Sequence, residues 1–258
     1  LDALKYGAVD FMNKPNHING SCHDDQGRAI VEKVKKAAAV RIDALRLIRT
    51  AAVKDKPQAA LDRPLNAVCA IGAAEGGYGA LLKLVPLLRP DLPAAVVVVL
   101  YAPETHIEAF ARYLDANSPI AVRRAQDGEA LQAGTCYLAS GAQYLTMDLY
   151  GGSSCMRVSG APFPNRRGAV NMLMLSLSET MAPAAMGVVL SGAGADAAEG
   201  AAELMRAGGR VIVQDPDTCL FRDMAAGVIA HCPEAAVLPI PRMADDINRT
   251  LTHSSPSH

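Results

Sequence analysis

The sequence has no apolar tract long enough to cross a bilayer. Its longest wholly apolar stretch runs from Ala94 to Ala102, far short of the roughly 20 residues a spanning helix needs, and reads instead as a buried strand. Its first residues, Leu1-Asp2-Ala3-Leu4-Lys5, do not read as a secretory leader, since they offer no basic region followed by an apolar core. Neither sign of charge is in excess: 25 basic and 26 acidic residues give a formal net charge of -1. That balance supplies no electrostatic reason to expect nucleic acid or an anionic membrane as a partner. The sequence also lacks a CxxC pair. Its cysteines, Cys22, Cys69, Cys136, Cys155, Cys219 and Cys232, are scattered, so neither a zinc site nor a disulfide framework has support. Isolated thiols in an apolar chain fit a reducing cytoplasm, where they serve as small buried hydrophobes.

What is present is a soluble globular composition, 50 % apolar and 20 % charged over 258 residues, enough for one large or two small domains. The start at Leu1 suggests an excerpt from a longer protein. Residues 1–16 read as the end of another unit: a helix end at Ala3-Leu4-Lys5-Tyr6, a turn at Gly7, a short strand and a stop at Pro15. After a polar stretch, the spacing predicts a helix from Arg28 to about Arg49, with Ile30, Val31, Val34, Ala37, Ala38, Ile42, Leu45 and Ile48 on one face. Lys33, Lys35, Lys36 and Arg41 read as its solvated side. Lys54 to Pro64 is the best linker, so residues 17–64 form a helix and linker and 65–251 a domain. The remainder, 252–258, reads as a disordered tail.

From Leu65 onward, strand-like runs alternate with amphipathic helices. The expected strands are Asn66–Ile71, Ala94–Tyr101, Cys136–Ala139, Met186–Leu190 and Arg210–Val213. The expected helices are Gly77–Leu88, Ile107–Ala116, Val170–Met181 and Asp196–Ala207. Strands rich in Val and Leu, with no polar alternation, are buried on both faces, which requires a parallel sheet between helical layers. The fold class is therefore α/β: a doubly wound, mostly parallel sheet in a three-layer α/β/α arrangement. Tyr144–Leu149 and Ser154–Val158, joined through Gly151-Gly152, read as an appended β-hairpin.

Ligands in such sheets bind beyond the carboxyl ends of the strands. Three strand ends draw attention: Ile71-Gly72-Ala73-Ala74-Glu75-Gly76-Gly77, Leu100-Tyr101-Ala102-Pro103 and Ser191-Gly192-Ala193-Gly194-Ala195-Asp196. The two Gly-rich turns fail as dinucleotide fingerprints because their glycines are wrongly spaced. From the residues alone, Asp196 is most simply a helix N-cap, and Glu75 a carboxylate satisfied by a helix dipole.

At these loops the chain resembles the chemotaxis-receptor methylesterase family (CheB). The likeness covers about Leu65 to Pro241 in collinear segments: Ile71 to Gly77, Ala125-Gln126-Asp127-Gly128-Glu129 with Cys136 to Gly141, Pro162 to Arg166, Gly187 to Asp196, and Gly208 to Asp215. Residues 7–15, with Lys14-Pro15, look like the last part of a receiver domain whose phosphoacceptor would lie upstream. The resemblance implies a Ser-His-Asp triad acting on glutamyl methyl esters of chemoreceptors, without metal or organic cofactor. It also implies two kinds of partner: chemoreceptor cytoplasmic segments or other chemotaxis-type signalling proteins, and an upstream histidine kinase acting through the missing receiver.

Two triad positions depart from the family's pattern. The serine of a GASTGG-like turn falls on Ala74, and the histidine of a QHMP-like strand end falls on Tyr101. The aspartate is kept as Asp196, and the residue whose backbone N–H faces the oxyanion falls on Ala193. A methyl group cannot attack an ester, and a phenol of pKa near 10 is a poor base at neutral pH. Loss of either group costs on the order of 10⁶ in rate. The expectation is a pseudo-esterase acting through binding, with Glu75 fixed at the helix start, blocking the cleft and repelling acidic segments. Two rivals remain. One is an active methylesterase or deamidase that has recruited Glu75, His106 or Ser191; the other is a nucleotide-binding protein.

Overall fold

The computed structural model describes residues 23–38, 63–150, 153–160 and 167–253, together with Ala3 and Ala8. The valine-rich runs do form strands buried on both sides. Strands β1 (Ala67–Ala73) and β2 (Ala94–Leu100) are buried at every residue. Successive side chains of a strand leave opposite faces, so Cys69 and Ile71 of β1 enter one core layer while Val68 and Ala70 enter the other. The first layer is closed by α2 (Gly77–Leu84), α3 (Glu104–Ala116) and α7 (Ile240–His253), and the second by α4 (Ala169–Thr180), α5 (Ala198–Arg206) and α6 (Asp223–His231). In the first layer the rings of Tyr78 and Phe110 meet edge to face, 4.7 Å apart, a geometry favoured by their quadrupoles.

The sheet has seven strands and every pairing in it is parallel. Its remaining members are β3 (Ala121–Arg124), β4 (Thr135–Ser140), β7 (Ala185–Val189), β8 (Arg210–Gln214) and β9 (Ala236–Leu238), in the order β3-β4-β2-β1-β7-β8-β9. This is the expected doubly wound, three-layer α/β/α class. The chain leaves β1 toward β2 on one side and leaves β7 toward β8 on the other. The crevice where a parallel sheet accepts ligands therefore opens between the carboxyl ends of β1 and β7.

The hairpin pairs β5 (Gln143–Tyr150) with β6 (Ser153–Gly160) in antiparallel register. It is more than an appendage. β6 also exchanges backbone hydrogen bonds with residues 128–131, and Leu145, Met147 and Met156 fill the second core layer. The Met147 N–H donates to Ser176 Oγ of α4 at 3.1 Å, so the hairpin braces the helix that borders the crevice.

Several element bounds differ from expectation. α1 (His23–Ala38) begins before Arg28, and Val31 and Val34, expected on an apolar face, are exposed. The continuation to Arg49, the linker, and residues 1–16 other than Ala3 and Ala8 lie outside the described residues. α2 ends at Leu84 because Pro86 lies in the tighter 3₁₀ turn Val85–Leu87 that follows. α7 runs to His253, two residues into the expected tail, and Thr252 Oγ1 donates to the Asn248 carbonyl at 2.6 Å. Four described cysteines, Cys69, Cys136, Cys219 and Cys232, are buried free thiols. Burial pushes Cys136 up to about 12, which keeps it a protonated hydrophobe.

Candidate functional site

Parallel pairing brings three loops to one edge. Ala73 of β1 lies opposite Leu100 of β2, and Gly72 lies opposite Val189 of β7. The residues just beyond, Ala74, Tyr101 and the Ser191–Asp196 turn, therefore meet at the crevice. The Tyr101 N–H donates to the Ala73 carbonyl at 2.9 Å, and the Ala74 N–H to the Ser191 carbonyl at 3.0 Å. The loops are thus stitched together by their own backbones.

Tyr101 and Asp196 meet directly. The phenol donates to Asp196 Oδ2 at 2.6 Å, and its oxygen accepts from the N–H groups of Gly168 and Ala169 at 2.8 and 3.1 Å. A hydroxyl has one proton and two lone pairs, so this one is fully used. Burial first, then the charge of Asp196 and its hydrogen bond, hold the phenol well above its ordinary pKa. Tyr101 therefore cannot take a proton from a nucleophile without surrendering bonds it already has. The ring passes so close to the chain at Gly141 that a Cβ there would stand 2.4 Å from ring carbon Cδ1. Glycine at that position is a steric requirement of the tyrosine.

Asp196 is buried and equally saturated. Oδ1 accepts from Asn171 N at 3.0 Å and Ala197 N at 2.8 Å, and Oδ2 accepts from Val170 N at 2.9 Å besides the phenol. The simple N-cap reading placed Asp196 at the helix it precedes. It instead serves α4, whose first-turn N–H groups have no partner inside their own helix, while Ala197 at φ 86° stands before α5. Its negative charge also opposes the positive end of α4.

Glu75 likewise departs from the helix-dipole reading. α2 begins only at Gly77 and has no acidic residue in its first turn. The Glu75 carboxylate turns across the crevice instead, to Arg167. Arg167 Nη1 donates to Oε2 at 2.9 Å and Nη2 to Oε1 at 2.6 Å, the two-pronged geometry of a guanidinium on a carboxylate. The Ala193 N–H adds a third bond to Oε2 at 3.1 Å. Arg167 Nη1 also donates to the Ala193 carbonyl at 2.6 Å, and the guanidinium carbon lies 4.7 Å from the centre of the Tyr101 ring. Its hydrogen bond and ion pair with Glu75 raise the pKa of the guanidinium, which is permanently charged. The expected repulsion of acidic segments by Glu75 is corrected by this partner: the pair is neutral.

Besides Glu75, the two other side chains considered as substitutes, Ser191 and His106, sit apart from open chemistry. Ser191 Oγ is buried, accepts from Phe221 N at 3.0 Å, and shares its proton between the carbonyls of Glu75 at 2.9 Å and Phe221 at 3.2 Å. It ties three loops together as a structural hydroxyl. His106 is buried within α3 beside Ile107 of the first core layer. Among the described residues no group of three or more His, Cys, Asp or Glu is placed to hold a metal, and no described helix is long and apolar enough to cross a membrane.

Arg167 is the residue that sequence reasoning missed. It directly follows a segment carrying the family likeness, but its partners Glu75 and Ala193 lie 92 and 26 residues away. One arginine among 25 basic residues gives no local sign of such a role.

The model of the CheB methylesterase family matches residues 69–247, which include every residue of this crevice. The chain belongs to the CheB methylesterase family. Among its curated relatives, a protein-glutamate methylesterase/protein-glutamine glutaminase of Symbiobacterium thermophilum is 35 % identical over 268 residues, covering 97 % of this chain and 72 % of that protein. Another, from Anaeromyxobacter dehalogenans, is 34 % identical over 257 residues, covering 96 % of this chain and 73 % of its own length. The crystal structure of the Thermotoga maritima CheB methylesterase catalytic domain superposes with a TM-score of 0.69 at 27 % identity, covering 72 % of this chain and 98 % of that one. The α/β architecture is that of a CheB catalytic domain, and this family acts in chemotaxis on chemoreceptors.

Proposed function

We propose that this CheB-family domain has lost ester hydrolysis and acts in chemotaxis-type signalling by binding. One observation carries the reading: at the crevice a methyl group (Ala74), a saturated phenol (Tyr101) and a saturated carboxylate (Asp196) stand where the family likeness puts nucleophile, base and acid. Ala74 offers no electron pair to an ester carbonyl. Tyr101 keeps its link to Asp196 but has no free lone pair to act as base. The N–H of Ala193, which would stabilise an oxyanion, is taken by Glu75. The partners that fit are chemoreceptor cytoplasmic segments, with input from a histidine kinase through a receiver domain of which residues 1–16 are the end.

An activated serine in such a crevice reacts with fluorophosphonate esters, and intact mass reads the product. The chain is expected to gain no stoichiometric adduct. An adduct mapped to Ser191, and lost in Ser191→Ala, would place a recruited nucleophile in the site and overturn the proposal.

A further inference from the structure

We propose that Arg167 and the Ala193 N–H form a carboxylate-binding site, filled in the resting protein by Glu75, whose external ligand is the free γ-carboxylate of a glutamyl side chain rather than its methyl ester. The proposal rests on the non-catalytic reading above and names the ligand class that such a domain would read.

Three N–H groups converge on the Glu75 carboxylate, two from Arg167 and one from Ala193. The anchors of the guanidinium do not depend on Glu75. Arg167 Nη1 is also bonded to the Ala193 carbonyl, and the guanidinium lies over the Tyr101 ring. That ring is held in turn by Asp196, Gly168 and Ala169. When the Glu75 side chain swings out, the donors keep their places. The Glu75 backbone can stay where it is, because its carbonyl is held separately by Ser191 Oγ. The site is therefore preorganised for a carboxylate, and Glu75 acts as a built-in competitor for it.

The same donor set discriminates between acid and ester. A guanidinium fork matches two equivalent, charged oxygens. A methyl ester is neutral, has one good acceptor oxygen, and carries a methyl group where the second prong would bind. A carboxylate at this place corresponds to the product of ester hydrolysis. A domain that holds it without performing the reaction senses the demethylated state of its partner. An external carboxylate must displace an intramolecular one, whose effective concentration is high. Binding by the wild type is therefore weak unless the partner adds contacts outside the site.

The test uses the full chain labelled with ¹⁵N and two probes, N-acetyl-glutamate α-amide and its γ-methyl ester, with the Ala193 amide resonance as the readout. Glu75→Ala is expected to bind the acid at least about tenfold more tightly than the wild type does, and to bind the ester at least about tenfold more weakly than the acid. Adding Arg167→Ala should abolish that preference. Equal binding of acid and ester by Glu75→Ala, no gain over the wild type, or a preference that survives loss of Arg167 would each overturn the proposal. Glu75→Gln, neutral and of the same volume, serves for the same comparisons if Glu75→Ala does not fold. Methanol released from the ester probe in the same samples reads the catalytic question separately: hydrolysis with the acid preference intact would contradict the non-catalytic reading but not the site.

Discussion

Methanol release from a methylated receptor fragment is expected to stay near the blank for the double variant Ala74→Ser/Tyr101→His, and to rise about 10²-fold when Glu75→Thr is added. The double variant supplies a serine at the proposed nucleophile position and an imidazole next to Asp196, which already holds the Tyr101 hydroxyl at 2.6 Å. It does not free the proposed oxyanion donor. The Ala193 N–H remains bonded to Glu75 Oε2, and Arg167 holds the same carboxylate in place. Loss of one oxyanion donor costs about 10² to 10³ in turnover, and on the proposed assignment Glu75 imposes that loss by holding the Ala193 N–H. Equal activity of the double and triple variants, with folding verified for both, would show that the carboxylate yields freely to substrate and blocks nothing.

Asp196→Ala is expected to destabilise the domain by about 3–5 kcal/mol, read from urea denaturation. Three backbone N–H groups, from Val170, Asn171 and Ala197, and the Tyr101 hydroxyl all depend on this one carboxylate. Its removal leaves them facing a small apolar side chain in a buried place. A typical domain is stable by only about 5–15 kcal/mol, so a large part of the fold's margin rests here. Asp196, the proposed triad acid, fastens the start of α4 to the crevice. Asp196→Asn keeps one accepting oxygen and should lose about half as much. A loss below about 1 kcal/mol for Asp196→Ala would mean that α4 is held by its packing against the hairpin and α5 instead.

The central strands and the helices beside them were legible because burial on both faces leaves an unbroken apolar run, and β1, β2, β4, β7 and β8 each carry one. The edge strands were not. β3 is four residues long and ends in Arg123 and Arg124, and β9 has three residues. Strands so short and half-exposed lack any periodic signal. α7, with its helical spacing of Ile240, Met243, Ala244, Ile247 and Leu251, was not among the expected helices. Pro241 sits in its first turn, where a missing N–H costs nothing. At the crevice, the three loops singled out in the sequence, which follow β1, β2 and β7 and carry Ala74, Tyr101, Ala193 and Asp196, do meet at one sheet edge. The partners of Asp196 and Glu75 were not legible, since they are set by where α4 docks on the sheet rather than by neighbours in sequence.

The most direct measurement is methanol release by the wild-type chain, at enzyme concentrations stoichiometric with a methylated chemoreceptor fragment. With a methyl group at the proposed nucleophile position, Ala74, and a phenol whose proton and lone pairs are all engaged, no methanol should appear above the rate without protein. Release that persists through repurification and disappears in Glu75→Ala or His106→Ala would contradict the account, because the crevice would then be working with relocated residues.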